Sequence, residues 1–207
     1  MSMPFLSFSC SRCDFRASST VCWGRFSYDG PSGLIPLNKG IGWCKDCSKI
    51  VPVEILPSIQ RIEELKSEIT ENKRHVTQYE ERIKQSRSKI KNLLKISVNL
   101  PHEIEKRQWQ CEYLSGKIEE EQQRLKLLSF RKSEPRCLRC ASVNCFLFPK
   151  DFKPLGSSES PGPPVEIGVT HPRCGGNLRV EHSGIRLNMG IKHRIYDTEG
   201  CLIRRED

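Results

Sequence analysis

Apolar residues recur on a seven-residue period only in the middle of this chain. Ile62, Ile69, Val76, Ile83 and Ile90 form one series, with Leu65, Tyr79 and Leu93 on a second seam that Asn72 and Ser86 weaken. Ile104, Cys111, Ile118 and Leu125 continue the period, supported by Leu114 and Leu128. A sustained repeat of this kind winds helices around each other. Between the two series Ser97-Val-Asn-Leu-Pro-His102 interrupts the pattern, because Pro101 lacks an amide donor and Asn99 offers a cap to the next helix. The break is short enough to turn back on itself. It predicts an antiparallel coiled-coil hairpin over residues 57–132 with its turn near 97–102, the arms being roughly 60 and 45 Å long. Coiled coils between separate chains are the alternative.

The flanks read differently. Residues 1–56 and 133–207 are rich in Cys, Gly, Ser and Pro, with short alternating runs. Gly24-Arg-Phe-Ser-Tyr-Asp-Gly30 and the stretch from Ile191 to Ile203 predict β-hairpins, with Asp-Gly and Asp-Thr-Glu-Gly as turn residues. Residues 153–165 have the composition of a flexible loop. The fold class expected is α+β, with two small β-rich modules flanking the helical hairpin.

Composition sharpens this picture. Hydrophobic residues make up 36% and aromatics 7% of the 207 residues, lean for one large core and suited to small modules plus a solvated element. No run approaches the ~18 apolar residues of a membrane span, and the first residues lack a secretory pattern. A cytoplasmic protein with no membrane partner is the expectation. Lysine and arginine number 34 against 25 aspartates and glutamates, a formal net charge of +9, more than half of it in the middle region.

Eleven cysteines are an odd number, and disulfides seldom persist in a reducing compartment, so metal ligation is the better reading. Cys10-Ser-Arg-Cys13, Cys44-Lys-Asp-Cys47, Cys137-Leu-Arg-Cys140 and His171-Pro-Arg-Cys174 each place two ligands two residues apart. Two such knuckles complete the tetrahedral shell of Zn²⁺. Thirty residues lie between Cys13 and Cys44, and thirty between Cys140 and His171, so sequence order groups the first two knuckles on one ion and the last two on another. His182 and His193 compete with His171 for the fourth position of the second set, which the spacing gives to His171. Gly175-Gly176 supplies a knuckle turn that needs positive φ.

The knuckles resemble zinc-ribbon proteins, and Gly42-Trp-Cys-Lys-Asp-Cys47, followed by an apolar strand and a helix, resembles uncharacterised bacterial members of that class. The resemblance covers both flanks and not the helices. It implies knuckles on short hairpins, each pair chelating one structural zinc. Four protein ligands leave no open position for water, and modules of this size draw folding energy from the metal. Cys22, Cys111, Cys145 and Cys201 fall outside the sets and are expected to pack as small hydrophobes.

Catalytic signatures are incomplete. His102-Glu-Ile-Glu-Lys106 resembles a zinc-protease start but has lysine where the second histidine belongs, and Glu134-Pro-Arg-Cys137 resembles half of a deaminase motif without its His-x-Glu. A non-enzymatic adaptor without a small-molecule substrate is therefore expected. Lys84, Arg87, Lys91 and Lys95 share one helical face, and no acid lies between Arg82 and His102. Trp109 and Tyr113 point outward from the second arm. If the arms meet at Asn99, Arg87 falls near Glu112, and the cations and aromatics together form a surface for nucleic acid. The alternative is a protein-interaction scaffold, a homodimer or a transcription-machinery-associated factor, with Val98 and Leu100 at the tip as the contact.

Overall fold

The structure, a computed structural model, describes residues 3–90, 102–132, 134–149, 154, 155, 157, 160–187 and 190–206, with only the backbone described at 3, 4 and 85–90. It is an α+β protein of two compact units. One joins Met1–Leu56 to Leu127–Asp207, and the other is Pro57–Lys126.

In the first unit, β1 (Met3–Cys10), β2 (Arg16–Ser18), β3 (Arg25–Gly30), β4 (Gly33–Pro36), β5 (Lys39–Cys44) and β6 (Lys49–Glu54) come from the first flank. The second flank supplies β7 (Cys145–Leu147), β8 (Val165–Thr170), β9 (Asn177–Leu187), β10 (His193–Tyr196) and β11 (Leu202–Glu206). They form three sheets, in the orders β2-β1-β9-β8, β11-β10-β3-β4 and β6-β5-β7. Each sheet mixes strands from both ends of the chain. The expectation of two self-contained terminal modules is thereby corrected: the flanks build one unit.

The hairpin predicted from Ile191 to Ile203 is present as β10–β11, whereas the stretch 24–30 predicted as a hairpin holds the single strand β3, which turns at Pro31-Ser32 into β4; β10 also lies parallel to β3. Phe8, Trp43, Ile50, Phe148, Leu178 and Val180 form one buried cluster, and Phe26, Tyr28, Leu37, Leu138 and Tyr196 another. Glu54 is fully buried at the end of β6. It takes a two-pronged contact from Arg131 (2.6 and 2.7 Å), the Arg136 amide (3.1 Å) and the Tyr28 hydroxyl.

In the second unit, α1 (Ile59–Ile90) and α2 (His102–Leu127) run antiparallel. Arg107 Nη1 donates to Asn72 Oδ1 (3.1 Å), Gln110 Nε2 to Glu68 Oε1 (2.9 Å), and the Ser58 amide to Glu121 Oε1 (3.0 Å). Ile62, Leu65, Ile104, Cys111 and Leu114 are buried, as their places in the seven-residue repeat require. Asn72, read from sequence as a weak point, is buried too and holds Arg107. The turn expected at 97–102 lies outside the described residues apart from His102, as do residues 153, 156, 158 and 159 of the 153–165 loop. Among the described residues no helix is long and apolar enough to cross a membrane.

Candidate metal centres and surrounding surface

Strand pairing decides which knuckles meet. β1 ends at Cys10 opposite Leu178 of β9, and the knuckle that precedes β9 carries His171 and Cys174. β5 ends at Cys44 opposite Cys145 of β7, just after the knuckle of Cys137 and Cys140, while Val53 of β6 bridges to Cys137 itself. The sets are therefore Cys10, Cys13, His171 and Cys174, and Cys44, Cys47, Cys137 and Cys140, each with its donor atoms within 4.8 Å of one another and each able to hold a metal ion. All eight residues singled out by spacing take part. The grouping by sequence order is corrected: first joins last, and second joins third. His182 and His193 belong to neither set.

The donor spacing suits a tetrahedral ion. In the first set Cys10 Sγ lies 3.3 Å and Cys13 Sγ 3.5 Å from Cys174 Sγ, and His171 Nδ1 lies 3.4 and 3.1 Å from Cys13 and Cys174. In the second, Cys44–Cys140 and Cys47–Cys137 are 3.7 and 3.9 Å apart. A tetrahedron with bonds of ~2.3 Å has edges of about 3.8 Å, whereas a disulfide needs ~2.0 Å.

The knuckles are held by local bonds. Amides of Arg12 and Cys47 each donate to a ligand sulfur, Cys10 and Cys44, at 3.4 Å. Gly175 has φ +67°, as expected from sequence, and Ser48 and Ala141 turn the same way after Cys47 and Cys140. A Cβ on Gly176 would stand 2.7 Å from Cys10 Sγ, so that position has room only for hydrogen. Asp46 accepts from Ser142 Oγ (2.5 Å) and Asn144 Nδ2 (3.0 Å), tying the second knuckle to the third; these bonds hold its carboxyl below the usual carboxylate value.

In the second set burial pushes the Cys137 thiol well up and Cys47 up to about 12, whereas for Cys140 burial is outweighed by hydrogen bonds from the Ser142 amide and the neighbouring thiols, which bring it down. Burial, aided by Arg173, lowers His171, keeping its imidazole neutral and able to ligate. His171 Nδ1 faces the sulfurs, while Nε2 is buried without a hydrogen-bond partner among the described residues. The ring packs on Phe15 (4.7 Å between centroids) and edge-on to Trp43 (5.0 Å). Trp43 precedes the ligand Cys44, so its indole links the two centres.

The unassigned cysteines divide. Cys111 is buried on the helical seam, Cys22 and Cys145 are half-buried, and Cys201 is exposed at the β10–β11 turn, contrary to the packing expected for it. Burial pushes both Cys22 and Cys145 up to about 11.

The surface expected on the helices lies only partly among the described residues. Trp109 (64% exposed) and Tyr113 (51%) do point outward and stack at 5.6 Å, with Lys117 Nζ 5.5 Å from the Tyr113 ring. Lys84 is exposed, only the backbone of Arg87 is described, and Lys91 and Lys95 lie outside the described residues. The bonds from Arg107 to Asn72 and from Gln110 to Glu68 set a register that levels Trp109 with about residue 70. Lys84 then stands roughly 20 Å farther along the helix axis. The register expected from a turn centred on Asn99 is corrected: buried pairing, not the midpoint of the break, sets the alignment.

A further pattern lies in the knuckle motifs themselves. Each knuckle carries one cation, Arg12, Lys45, Arg139 or Arg173, and all four are exposed. None has a salt bridge among the described residues. No protein-family model, curated protein or solved structure matches the chain.

Proposed function

We propose that each four-donor set holds one structural zinc ion in a ribbon-like clasp, and that the chain is a non-enzymatic nucleic-acid-binding module. Thiolate with imidazole is a donor set that favours zinc, and donor spacings of 3.1–3.9 Å suit its tetrahedral shell. Four protein donors per ion support a structural role over a catalytic one.

The observation carrying the nucleic-acid reading is the cation on every knuckle. Seven thiolates and two dications bring the formal charge from +9 to about +6, so the zinc-loaded protein stays basic. Clasped knuckles would hold these four side chains on a rigid frame for phosphate contacts.

Elemental analysis of freshly purified protein should give two equivalents of zinc. Binding to a labelled single-stranded oligonucleotide should weaken steeply with salt, and the slope should shrink when Arg12 and Arg173 are changed to Gln. Binding that ignores salt would remove the nucleic-acid reading and leave the zinc reading standing.

A protein partner is a second reading, favoured by one observation. The exposed Trp109–Tyr113 stack is bordered by both signs of charge, Glu105, Lys106, Glu112 and Lys117, a setting suited to a protein surface more than to phosphate. Trp109→Ala should then abolish partner capture, or a homodimer, without altering the zinc content.

A further inference from the structure

A cavity of about 270 Å³ opens in the first unit where β6, the third knuckle and the β10–β11 pair converge. Val51, Pro52 and Leu138, all buried, lie beneath it, and Arg139, Arg194 and Arg205 line it. No acidic residue lines it, and none of the three guanidiniums has a carboxylate partner among the described residues. Arg194 is braced by its Nη1 bond to the Val21 carbonyl (3.4 Å) and by stacking over Phe26 (4.8 Å), contacts that leave its charge unmatched. Arg139 is an exposed side chain between Cys137 and Cys140. Tyr196 also lines the cavity and spends its hydroxyl on the Leu138 carbonyl (2.9 Å). Elsewhere in this unit buried or half-buried arginines are paired, Arg131 with Glu54 and Arg136 with Glu199.

Three arginines lining one cavity without a carboxylate among its lining residues are complementary to a doubly charged anion. Guanidinium forks meet phosphate oxygens two at a time, and three of them match the charge and oxygens of a phosphate monoester better than a single carboxylate. The volume is that of about one nucleotide.

We propose that this cavity binds the terminal phosphate monoester of a nucleotide or of a strand. The inference rests on the nucleic-acid reading and names its specific contact. A free mononucleotide and the phosphorylated end of a strand present the same chemistry.

The test uses zinc-loaded full-length protein and fluorescence anisotropy with one labelled ten-nucleotide strand carrying either a 5′-phosphate or a 5′-hydroxyl, with adenosine monophosphate as competitor. The phosphorylated strand should bind at least about tenfold tighter. Arg205→Gln, at an exposed position, and Arg194→Gln should each remove that preference while changing affinity for the hydroxyl strand less than about twofold. Zinc content and thermal melting of both variants report on folding. Displacement by millimolar mononucleotide assigns the site to free nucleotides as well, and a preference without displacement assigns it to strand ends; both support the proposal. Equal binding of the two strands overturns the cavity site and leaves the general nucleic-acid reading intact. No binding of either strand, with zinc present, overturns that reading itself. Preference retained in both arginine variants overturns the assignment to this cavity.

Discussion

Arg131→Met tests whether the two flanks form one folded unit independently of metal. Glu54 ends the last strand of the first flank, Arg131 follows α2, and the pair is buried on both sides, at 0% and 3% exposure. Removing the guanidinium leaves the carboxylate with the Arg136 amide and the Tyr28 hydroxyl but no positive charge. With charge centres about 4 Å apart and an effective dielectric near 20, the lost attraction is about 4 kcal/mol. This agrees with the ~3–5 kcal/mol measured when one partner of a buried pair is removed. Against a total stability of ~5–15 kcal/mol, that loss should move the urea midpoint of zinc-loaded protein far to the left. Glu54→Gln in the same chain should recover about 2 kcal/mol, because no buried charge is then stranded. A loss below about 1 kcal/mol with an unchanged denaturant slope would refute the reasoning, since a pair that cheap to break is not joining the flanks inside a core.

Gly176→Ala should loosen only the set containing His171, because the added methyl meets Cys10 Sγ at 2.7 Å; chelator competition should release one zinc about tenfold faster and the other unchanged. Iodoacetamide at pH 7.5 should label Cys201 in zinc-loaded protein and spare Cys22 and Cys145, read by peptide mass. Their thiols are raised by burial to about 11, so the stability they contribute is full below the ordinary thiol value near 9. It should be lost as pH rises through about 11, visible as a falling melting temperature over that window. Trp43→Ala should cost about 3–5 kcal/mol and weaken both metal centres together, because its ring packs on His171 while its backbone leads into Cys44.

The eight candidate donors were legible because a knuckle is local chemistry: two donors two residues apart, with a turn between them. The two helices and the hairpin β10–β11 were legible for the same reason, through short-range periodicity and turn residues. The partnership of the knuckles was not. It depends on β1 meeting β9 and β5 meeting β7, contacts between distant segments whose local patterns fit several neighbours equally. Separation along the chain is also a poor guide. Closing 157 residues between Cys13 and His171 instead of thirty costs only about 1.5 kcal/mol more, and the 89 between Cys47 and Cys137 about 1 kcal/mol more. The sheets outweigh such terms. Helix register was hidden similarly, since Asn72 looked like a flaw in the seam and proved to be a buried partner of Arg107.

Replacing zinc with the NMR-active cadmium isotope and recording metal–proton correlations tests the nested pairing most directly. The β-protons of Cys10, Cys13 and Cys174 and the ring protons of His171 should couple to one cadmium, and those of Cys44, Cys47, Cys137 and Cys140 to the other. Coupling of Cys10 and Cys44 to the same ion would contradict the account.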